Sequence, residues 1–197
     1  MEGIYQAIYT AGVVIPSPVA TCRYFHRTLD VEKLVKIGFS QLPSGVTKKQ
    51  QVLKYKLPTK TSIPGLRSME EKDIPQVKDL LMHYLDRFSI AQDFSNEEVD
   101  HWFIHKEGRN DPPNRVVWTY VAETDGKVTD FFSFYRLEST VIKAEEPTVI
   151  KAAYLYYYAS ESTFGDDSDA YKTRLNELMK DLLIVAKKVS RSLQTGE

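Results

Sequence analysis

The sequence predicts an α+β domain in which a mixed, mostly antiparallel sheet is flanked by helices. Residues 116–123 and 127–137 have the composition of two strands, and the Thr124-Asp125-Gly126 turn between them is a strong signal for a β-hairpin. Residues 151–160, KAAYLYYYAS, form a third apolar and aromatic strand, and a long amphipathic helix follows. Consecutive antiparallel strands bordered by helices are typical of the α+β class.

The first 65 residues are predicted to be less regular. Residues 20–28 read as a strand that has Cys22, Tyr24 and His26 on one face. A short helix over residues 30–35 would begin at Asp30 as its N-cap. Leu53, Tyr55 and Leu57 alternate with two lysines, and this pattern predicts a half-buried strand. Residues 58–65, PTKTSIPG, contain two prolines and a glycine and are predicted to be a linker.

The elements after the linker follow a clearer pattern. A short strand is predicted at residues 66–69, and Asp73 and Pro75 mark the start of a helix. The apolar face of that helix comprises Ile74, Val77, Leu80, Leu81, Tyr84, Leu85 and Phe88. Ser95 and Glu98 form a capping box for a second helix. The last helix has an apolar face of Leu175, Leu178, Met179, Leu182, Val185, Ala186 and Val189.

Composition excludes several classes of function. The 26 basic and 27 acidic residues leave a net charge of −1, whereas a general nucleic-acid binder carries a basic excess. No apolar run approaches the roughly 20 residues needed to span a bilayer, and the N-terminus lacks the basic start of a secretory signal. The single cysteine fits a reducing compartment, so we predict a cytoplasmic protein without nucleic-acid partner or membrane span.

The sequence contains two possible reactive centres, and the evidence for each of them is weak. Cys22 and His26 would lie roughly 13 Å apart on an extended strand, which is too far for a nucleophile and its base. His101 and His105 have a helical spacing of four, but no third ligand follows with the spacing of a metal motif. We therefore predict no metal site. The 12 tyrosines suit either a site that binds an extended ligand or a large sheet, and composition alone leaves both open.

The order of elements after residue 66 resembles a lobe of the GCN5-related acetyltransferase fold. In that fold, the helix after the fourth strand binds the acyl-CoA diphosphate through a glycine-rich turn and helix N-terminal amides. The matching segment here, ESTFGDDSDAYKTRL, has one glycine and three aspartates, which would repel a diphosphate. We therefore expect that this lobe does not hold a CoA tail.

Longer stretches look like N-myristoyltransferase of the fungal type. They are EGIYQAIYTAGVVIPSPVATCRYFHRTL, LRSMEEKDIPQV, EEVDHWF, VTDFFSFYRLEST and IKAAYLYYYAS, and the likeness covers residues 2–187. The resemblance implies two fused acetyltransferase-like lobes, of which the N-terminal one binds myristoyl-CoA and supplies the oxyanion hole. It also implies that residues 1–60 end the N-terminal lobe and form the lobe junction. Residues 66–197 would then be the C-terminal lobe, incomplete at its C-terminus.

The resemblance also implies a set of peptide-binding residues. Thr10 matches a threonine that holds the N-terminal glycine of the peptide, and Tyr24 and His26 match a pair that lines the peptide channel. Phe134, Tyr135, Tyr154 and Leu155 match positions of groove contacts. From the residues alone, a turn threonine, a structural histidine and core aromatics are the favoured interpretations, and the functional assignment depends on the resemblance. Strand alternation would place Tyr154, Tyr156 and Tyr158 on one face and Leu155 and Tyr157 on the other.

The implied activity is the transfer of myristate from myristoyl-CoA to the N-terminal glycine of proteins. This chain would supply mainly peptide binding, with no catalytic residue and no cofactor of its own, since myristoyl-CoA is a co-substrate bound by the N-terminal lobe. The isolated chain is expected to be inactive. A non-catalytic peptide-binding module derived from such an enzyme is the alternative. A dimer whose second copy replaces the other lobe is disfavoured by the aspartates described above.

Overall fold

A computed structural model describes residues 9–105, 115–142 and 148–195, with side chains as far as residue 190. Its centre is one four-stranded antiparallel sheet in the order β1-β2-β3-β4. The strands are β1 (Leu66–Ser68), β2 (Val117–Thr124), β3 (Lys127–Thr140) and β4 (Val149–Ser160). The predicted α+β class and each strand predicted after the linker are confirmed.

Five α-helices accompany the sheet in the described part of the chain. They are α1 (Val31–Lys36), α2 (Lys48–Lys54), α3 (Ile74–Leu85), α4 (Asn96–Phe103) and α5 (Ser168–Thr195). The predicted capping box of α4 is confirmed, because Ser95 Oγ accepts from the Glu98 N–H at 3.2 Å and the Glu98 carboxylate accepts from the Ser95 N–H at 2.9 Å. None of these helices has an apolar stretch of the length required to cross a membrane.

The turn between β2 and β3 has the predicted hairpin chemistry. Asp125 has φ 50° and Gly126 has φ 79°, so both central residues adopt the left-handed conformation of a tight hairpin turn. Thr124 pairs with Lys127 and Glu123 with Val128, and the register then shifts by one residue, since Ala122 pairs with Asp130, before it continues to the pair Val117 and Tyr135. The turn and this register shift together set which residues of β3 lie opposite each residue of β2.

The β3–β4 ladder contains a β-bulge. Phe132 pairs with Tyr158, but Phe134 pairs with Leu155, so β4 has one more residue than β3 between these pairs. The Ser133 hydroxyl bridges the irregularity, since its oxygen lies 3.0 Å from both the N–H and the carbonyl oxygen of Tyr157.

The bulge overturns the predicted alternation along β4. Tyr156 and Tyr157 are adjacent in the chain, yet both rings contact Phe103 of α4, at 5.5 and 5.9 Å between centroids. The extra residue therefore places two consecutive tyrosines on one side of the sheet. The prediction that Tyr157 lies on the face opposite Tyr156 is wrong.

The core consists of two apolar clusters, one on each face of the sheet. On one face, residues of α3 and α4 pack on Val121, Phe131 and Ala159. On the other face, Leu178, Leu182, Val185 and Ala186 of α5 pack on Trp118, Ala122, Phe132 and Phe134. Consecutive strand residues such as Phe131 and Phe132 contribute to opposite clusters, as the period of a strand requires.

The N-terminal region differs from expectation at two places. The helix that begins after Asp30 is confirmed, and the Asp30 carboxylate accepts from the Lys33 N–H at 2.9 Å. The strand predicted at residues 20–28 is absent, because the structure places no neighbouring strand beside these exposed residues within its described part. The strand predicted around Leu53 is also wrong, because a capping box of Thr47 and Gln50 starts α2 there instead.

Candidate functional site

Four of the seven predicted peptide-binding residues meet on the β3–β4 ladder. Phe134 pairs with Leu155, and the adjacent residues Tyr135 and Tyr154 pair with each other. The Tyr135 and Tyr154 rings are stacked, with 5.4 Å between centroids and 18° between planes. Because neighbouring pairs project to opposite faces, the four residues form two contact surfaces, one on each side of the sheet.

The tyrosine pair belongs to the face covered by α4. The Tyr135 ring also contacts Tyr156 edge to face, at 5.8 Å, and Tyr156 in turn contacts Phe103. Tyr135 and Tyr154 are half-buried, so their rings are packed while part of each side chain meets solvent. Burial also raises the pKa of the neighbouring Tyr156 above its usual value.

The Phe134 and Leu155 pair belongs to the face covered by α5. Phe134 is buried and stacks on Trp118 at 5.6 Å, whereas 44% of Leu155 is exposed. The guanidinium groups of Arg115 and Arg136 lie 5.5 and 5.9 Å from the Trp118 ring centroid.

A shallow open groove lies beside Phe134. Its lining residues are Trp118, Phe134, Arg136, Lys151, Ala152, Ala153, Ala186, Val189 and Ser190. The groove has an aromatic base, small alanines at its walls and two cationic side chains. It is therefore a concave surface that contains one of the predicted binding residues.

The other three predicted residues lie in the N-terminal segment. Thr10, Tyr24 and His26 are exposed and outside regular structure, and Tyr24 is 76% exposed. The His26 ring contacts Phe39 at 6.4 Å, in an edge-to-face arrangement. The described contacts of these three residues do not join them to the β3–β4 pairs, so the structure does not assemble the seven residues into one surface.

The N-terminus of α5 is occupied by a side chain of this protein. The Asp167 carboxylate accepts from the Asp169 N–H at 2.9 Å and from the Ala170 N–H at 3.0 Å. These backbone hydrogen bonds, from Ala170 and from Asp169, hold the pKa of Asp167 below its usual range. The amides that bind a diphosphate in the acetyltransferase fold thus have an anionic partner in this structure.

The two possible reactive centres are not assembled. The helix α4 ends at Phe103, so His105 does not share a helical face with His101. In the described ranges, no group of three His, Cys, Asp or Glu side chains is placed to hold a metal ion. Cys22 is an exposed free thiol.

Sequence reasoning did not predict the burial of three acidic residues, Asp73, Asp130 and Asp181, each at most 2% exposed. Asp130 lies at the base of β3, where it accepts from Arg174 Nε at 3.1 Å, Arg174 Nη2 at 2.6 Å and Ser160 Oγ at 2.6 Å. For two of these residues, the sequence pattern does indicate a buried position. Asp130 interrupts an apolar strand, and Asp181 stands three residues after Leu178, on the apolar face of α5.

The comparisons with known proteins identify related sequences over most of the chain. Residues 36–193 match the family model described as myristoyl-CoA:protein N-myristoyltransferase, C-terminal domain. A glycylpeptide N-tetradecanoyltransferase of Emericella nidulans is 55% identical over 190 residues, which are 95% of this chain and 38% of that protein. The enzyme of that name from Schizosaccharomyces pombe is 50% identical, over 95% of this chain and 41% of its own length.

A solved structure shows the same fold. Saccharomyces cerevisiae N-myristoyltransferase with bound myristoyl-CoA is similar with a TM-score of 0.84 and 42% identity, over 91% of this chain and 42% of that chain. This chain therefore spans about two-fifths of the length of the relatives that it matches.

Proposed function

Because this chain belongs to the myristoyl-CoA:protein N-myristoyltransferase family, we propose that it is part of an enzyme that myristoylates proteins. The enzyme would transfer myristate from myristoyl-CoA to the N-terminal glycine of its substrates. Relatives at 50–55% identity carry the name glycylpeptide N-tetradecanoyltransferase, which describes this reaction. Within the enzyme, this chain would supply mainly the surface that binds the peptide.

The observation that carries the peptide-binding role is the meeting of four predicted residues on β3 and β4. Tyr135 and Tyr154 present stacked, half-buried rings on one face of the sheet, and Leu155 exposes an apolar side chain on the other. Aromatic rings with a polar tip suit a site that must contact both the apolar side chains and the backbone of an extended peptide. Thr10, Tyr24 and His26 would complete this surface from the N-terminal segment.

The geometry at the N-terminus of α5 supports a division of labour in which this chain binds the peptide and another part of the enzyme binds myristoyl-CoA. Asp167 uses the helix amides and places a negative charge where a CoA diphosphate would need positive potential. We therefore assign myristoyl-CoA binding to a part of the enzyme outside this chain. Residues 1–60 would be the end of the acyl-CoA lobe and the junction, and residues 66–197 would be the peptide-binding lobe.

The chemistry of the whole enzyme sets what this surface must do. The glycine amine has to be neutral when it attacks the thioester, and its reference pKa near 8 makes deprotonation inexpensive. The thioester oxyanion needs preorganised amide donors, which we also assign to the other part of the enzyme. The residues of this chain would hold the peptide so that its amine is oriented, and we assign none of them as an acid or base.

A titration with peptide tests the proposal. A fluorescently labelled octapeptide with a free N-terminal glycine is titrated into the 197-residue chain, and the same peptide with an acetylated N-terminus is the control. We expect the free peptide to bind more tightly than the acetylated one. Equal binding, or no binding, would contradict the peptide-binding role.

Single substitutions then locate the surface. Tyr24→Phe removes only a hydroxyl, and the loss of one neutral hydrogen bond is worth about 1 kcal/mol, or roughly five-fold in affinity. His26→Ala should weaken binding by a similar factor or more, since it removes packing as well as a polar contact. Cys22→Ser is the matched control from the same segment and should bind as the wild type does. A Cys22→Ser chain that folds but no longer binds peptide would mean that the segment has been misread.

A further inference from the structure

A buried carboxylate holds the linker between the N-terminal segment and β1. Asp181 of α5 is fully buried, with 0% exposure. Its oxygens accept from the Ser62 N–H at 2.8 Å, the Ile63 N–H at 2.8 Å and the Ser62 Oγ at 3.2 Å. The donors are 118 and 119 residues away in sequence, so these bonds join distant parts of the chain.

Among the described residues, all the hydrogen bonds that Asp181 accepts come from the linker. In the described part of the chain, no lysine, arginine or histidine lies within ion-pair distance of Asp181. An ionised carboxylate without a cation is costly to bury unless hydrogen bonds satisfy it. Hydrogen bonds to a charged acceptor are about twice as strong as neutral ones. The linker backbone and Asp181 therefore depend on each other.

The anchored linker belongs to the same apolar cluster as the candidate site. Ile63 is 5% exposed and packs in the α5-side cluster, which also contains Trp118 and Phe134. Leu29, from the segment before α1, packs against this cluster as well. The N-terminal segment is thus tied to the sheet at two points, by Leu29 and by the linker.

We propose that Asp181 is a positioning residue for peptide binding. Its carboxylate fixes where the segment that contains Tyr24 and His26 joins the sheet that contains Phe134 and Leu155. The two halves of the peptide surface then keep one relative placement, and peptide affinity depends on a residue that does not touch the peptide. The inference rests on the proposed function for its effect on affinity, whereas the anchor itself is independent of it.

The test uses Asp181→Asn, which keeps the size of the side chain and replaces an acceptor oxygen with a donor group. Amide hydrogen exchange at Ser62 and Ile63 reads the anchor, titration with the free-glycine octapeptide reads its function, and thermal unfolding reads the fold. We expect exchange at both amides to accelerate and the peptide Kd to rise about tenfold, because charge-assisted hydrogen bonds are lost.

Two variants provide controls. Asp130→Asn changes another buried carboxylate, which bonds Arg174 rather than the linker. It should lower the unfolding temperature and leave the peptide Kd and the exchange of Ser62 and Ile63 near the wild-type values. Ser62→Ala removes one donor and keeps both backbone bonds, so it should raise the Kd by a smaller factor. It also keeps the test valid if Asp181→Asn does not fold.

The outcomes separate the claims. Unchanged exchange at Ser62 and Ile63 in a folded Asp181→Asn chain would overturn the anchor. Faster exchange with an unchanged Kd would overturn the positioning role. A Kd that rises equally in Asp130→Asn would show a general loss of stability and would also overturn that role. If the wild type binds no peptide, the proposed function and the effect on affinity both fail, and the exchange data still decide the anchor.

Discussion

Two buried aspartates, Asp73 and Asp130, each have hydrogen bonds and an ion pair with an arginine. Burial alone would raise the pKa of Asp130, but hydrogen bonds from Arg174, Ser160 and Thr129 and the charge of Arg174 hold that pKa below its usual range. The pKa of Asp73 is lowered in the same way, where hydrogen bonds and charge from Arg67 outweigh the effect of burial. Both carboxylates therefore stabilise the folded chain in their ionised form.

The lowered pKa values predict acid sensitivity. An aspartate in the unfolded chain has a pKa near 3.9, and in the folded chain the pKa of Asp130 is lower. Its contribution to stability is complete above about pH 4 and is lost as the pH falls through the folded-state value. We expect the thermal unfolding temperature to fall steeply below about pH 4, and Asp130→Asn should flatten this dependence. An Asp130→Asn chain with the wild-type pH profile would contradict the assignment.

Removal of the carboxylate should cost more than its neutralisation. Asp130→Ala leaves the half-buried guanidinium of Arg174 without its main partner. Breaking one side of a buried ion pair costs about 3–5 kcal/mol, and the partial exposure of Arg174 favours the lower end. Urea unfolding at pH 7 measures the change, and Asp169→Ala, at an exposed position, is the control. A cost below about 1 kcal/mol would show that water replaces the pair.

At the scale of secondary-structure elements, the sequence predicted the elements that a short stretch of residues determines. The β2–β3 hairpin depends on the Asp125-Gly126 turn, and α4 depends on the Ser95 capping box, so short stretches of sequence determine both. The strand expected at residues 20–28 failed because a strand needs a paired neighbour, and composition does not supply one. The β4 bulge was missed for a similar reason, since it appears only in the register with β3.

Gly65 provides a prediction about the start of β1. It has φ +67°, and a Cβ at this position would lie 2.1 Å from the backbone oxygen of Glu123. Gly65→Ala therefore adds a clash with rigid backbone to the cost of a left-handed conformation, and we expect a loss of about 3 kcal/mol. Gly45→Ala has a similar φ of +74° with open space around it, and it should lose only about 1 kcal/mol. Equal losses in urea unfolding would show that the β1–β2 contact yields without cost.

At the scale of the whole molecule, the candidate site was only partly foreseeable. Family resemblance named Phe134, Tyr135, Tyr154 and Leu155, and the structure brings them together because β3 and β4 pair. Strand alternation placed Tyr154 and Leu155 on opposite faces, but it did not indicate which helices cover each face, because this depends on the fold around the sheet. Asp181 was missed because its donors lie in a linker more than a hundred residues away, a separation that no local pattern reports.

The division of labour predicts the catalytic behaviour of the chain alone. We expect the 197-residue chain to release no CoA thiol from myristoyl-CoA above the no-enzyme rate in the presence of a glycine-initiated peptide. The reason is that we assign both the acyl-CoA site and the oxyanion donors to a part of the enzyme outside this chain. A full-length fungal relative is the positive control. Turnover by this chain would require a catalytic assignment among its own residues.

The β4 bulge determines which side of the sheet the candidate residues of β4 face. If β4 kept all its residues but paired with β3 without a bulge, the register from Phe132 and Tyr158 would continue to pair Phe134 with Tyr156 and Tyr135 with Leu155. Every β4 residue before the bulge would then change sides, so that Leu155 would turn toward α4 and Tyr154 toward α5. Deletion of one residue at the bulge should instead give a regular ladder in which Phe134 still pairs with Leu155 and Tyr135 with Tyr154, so the two surfaces should keep their sides. The bulge between β3 and β4 thus decides whether Leu155 lies on the side of α5 and Tyr154 on the side of α4.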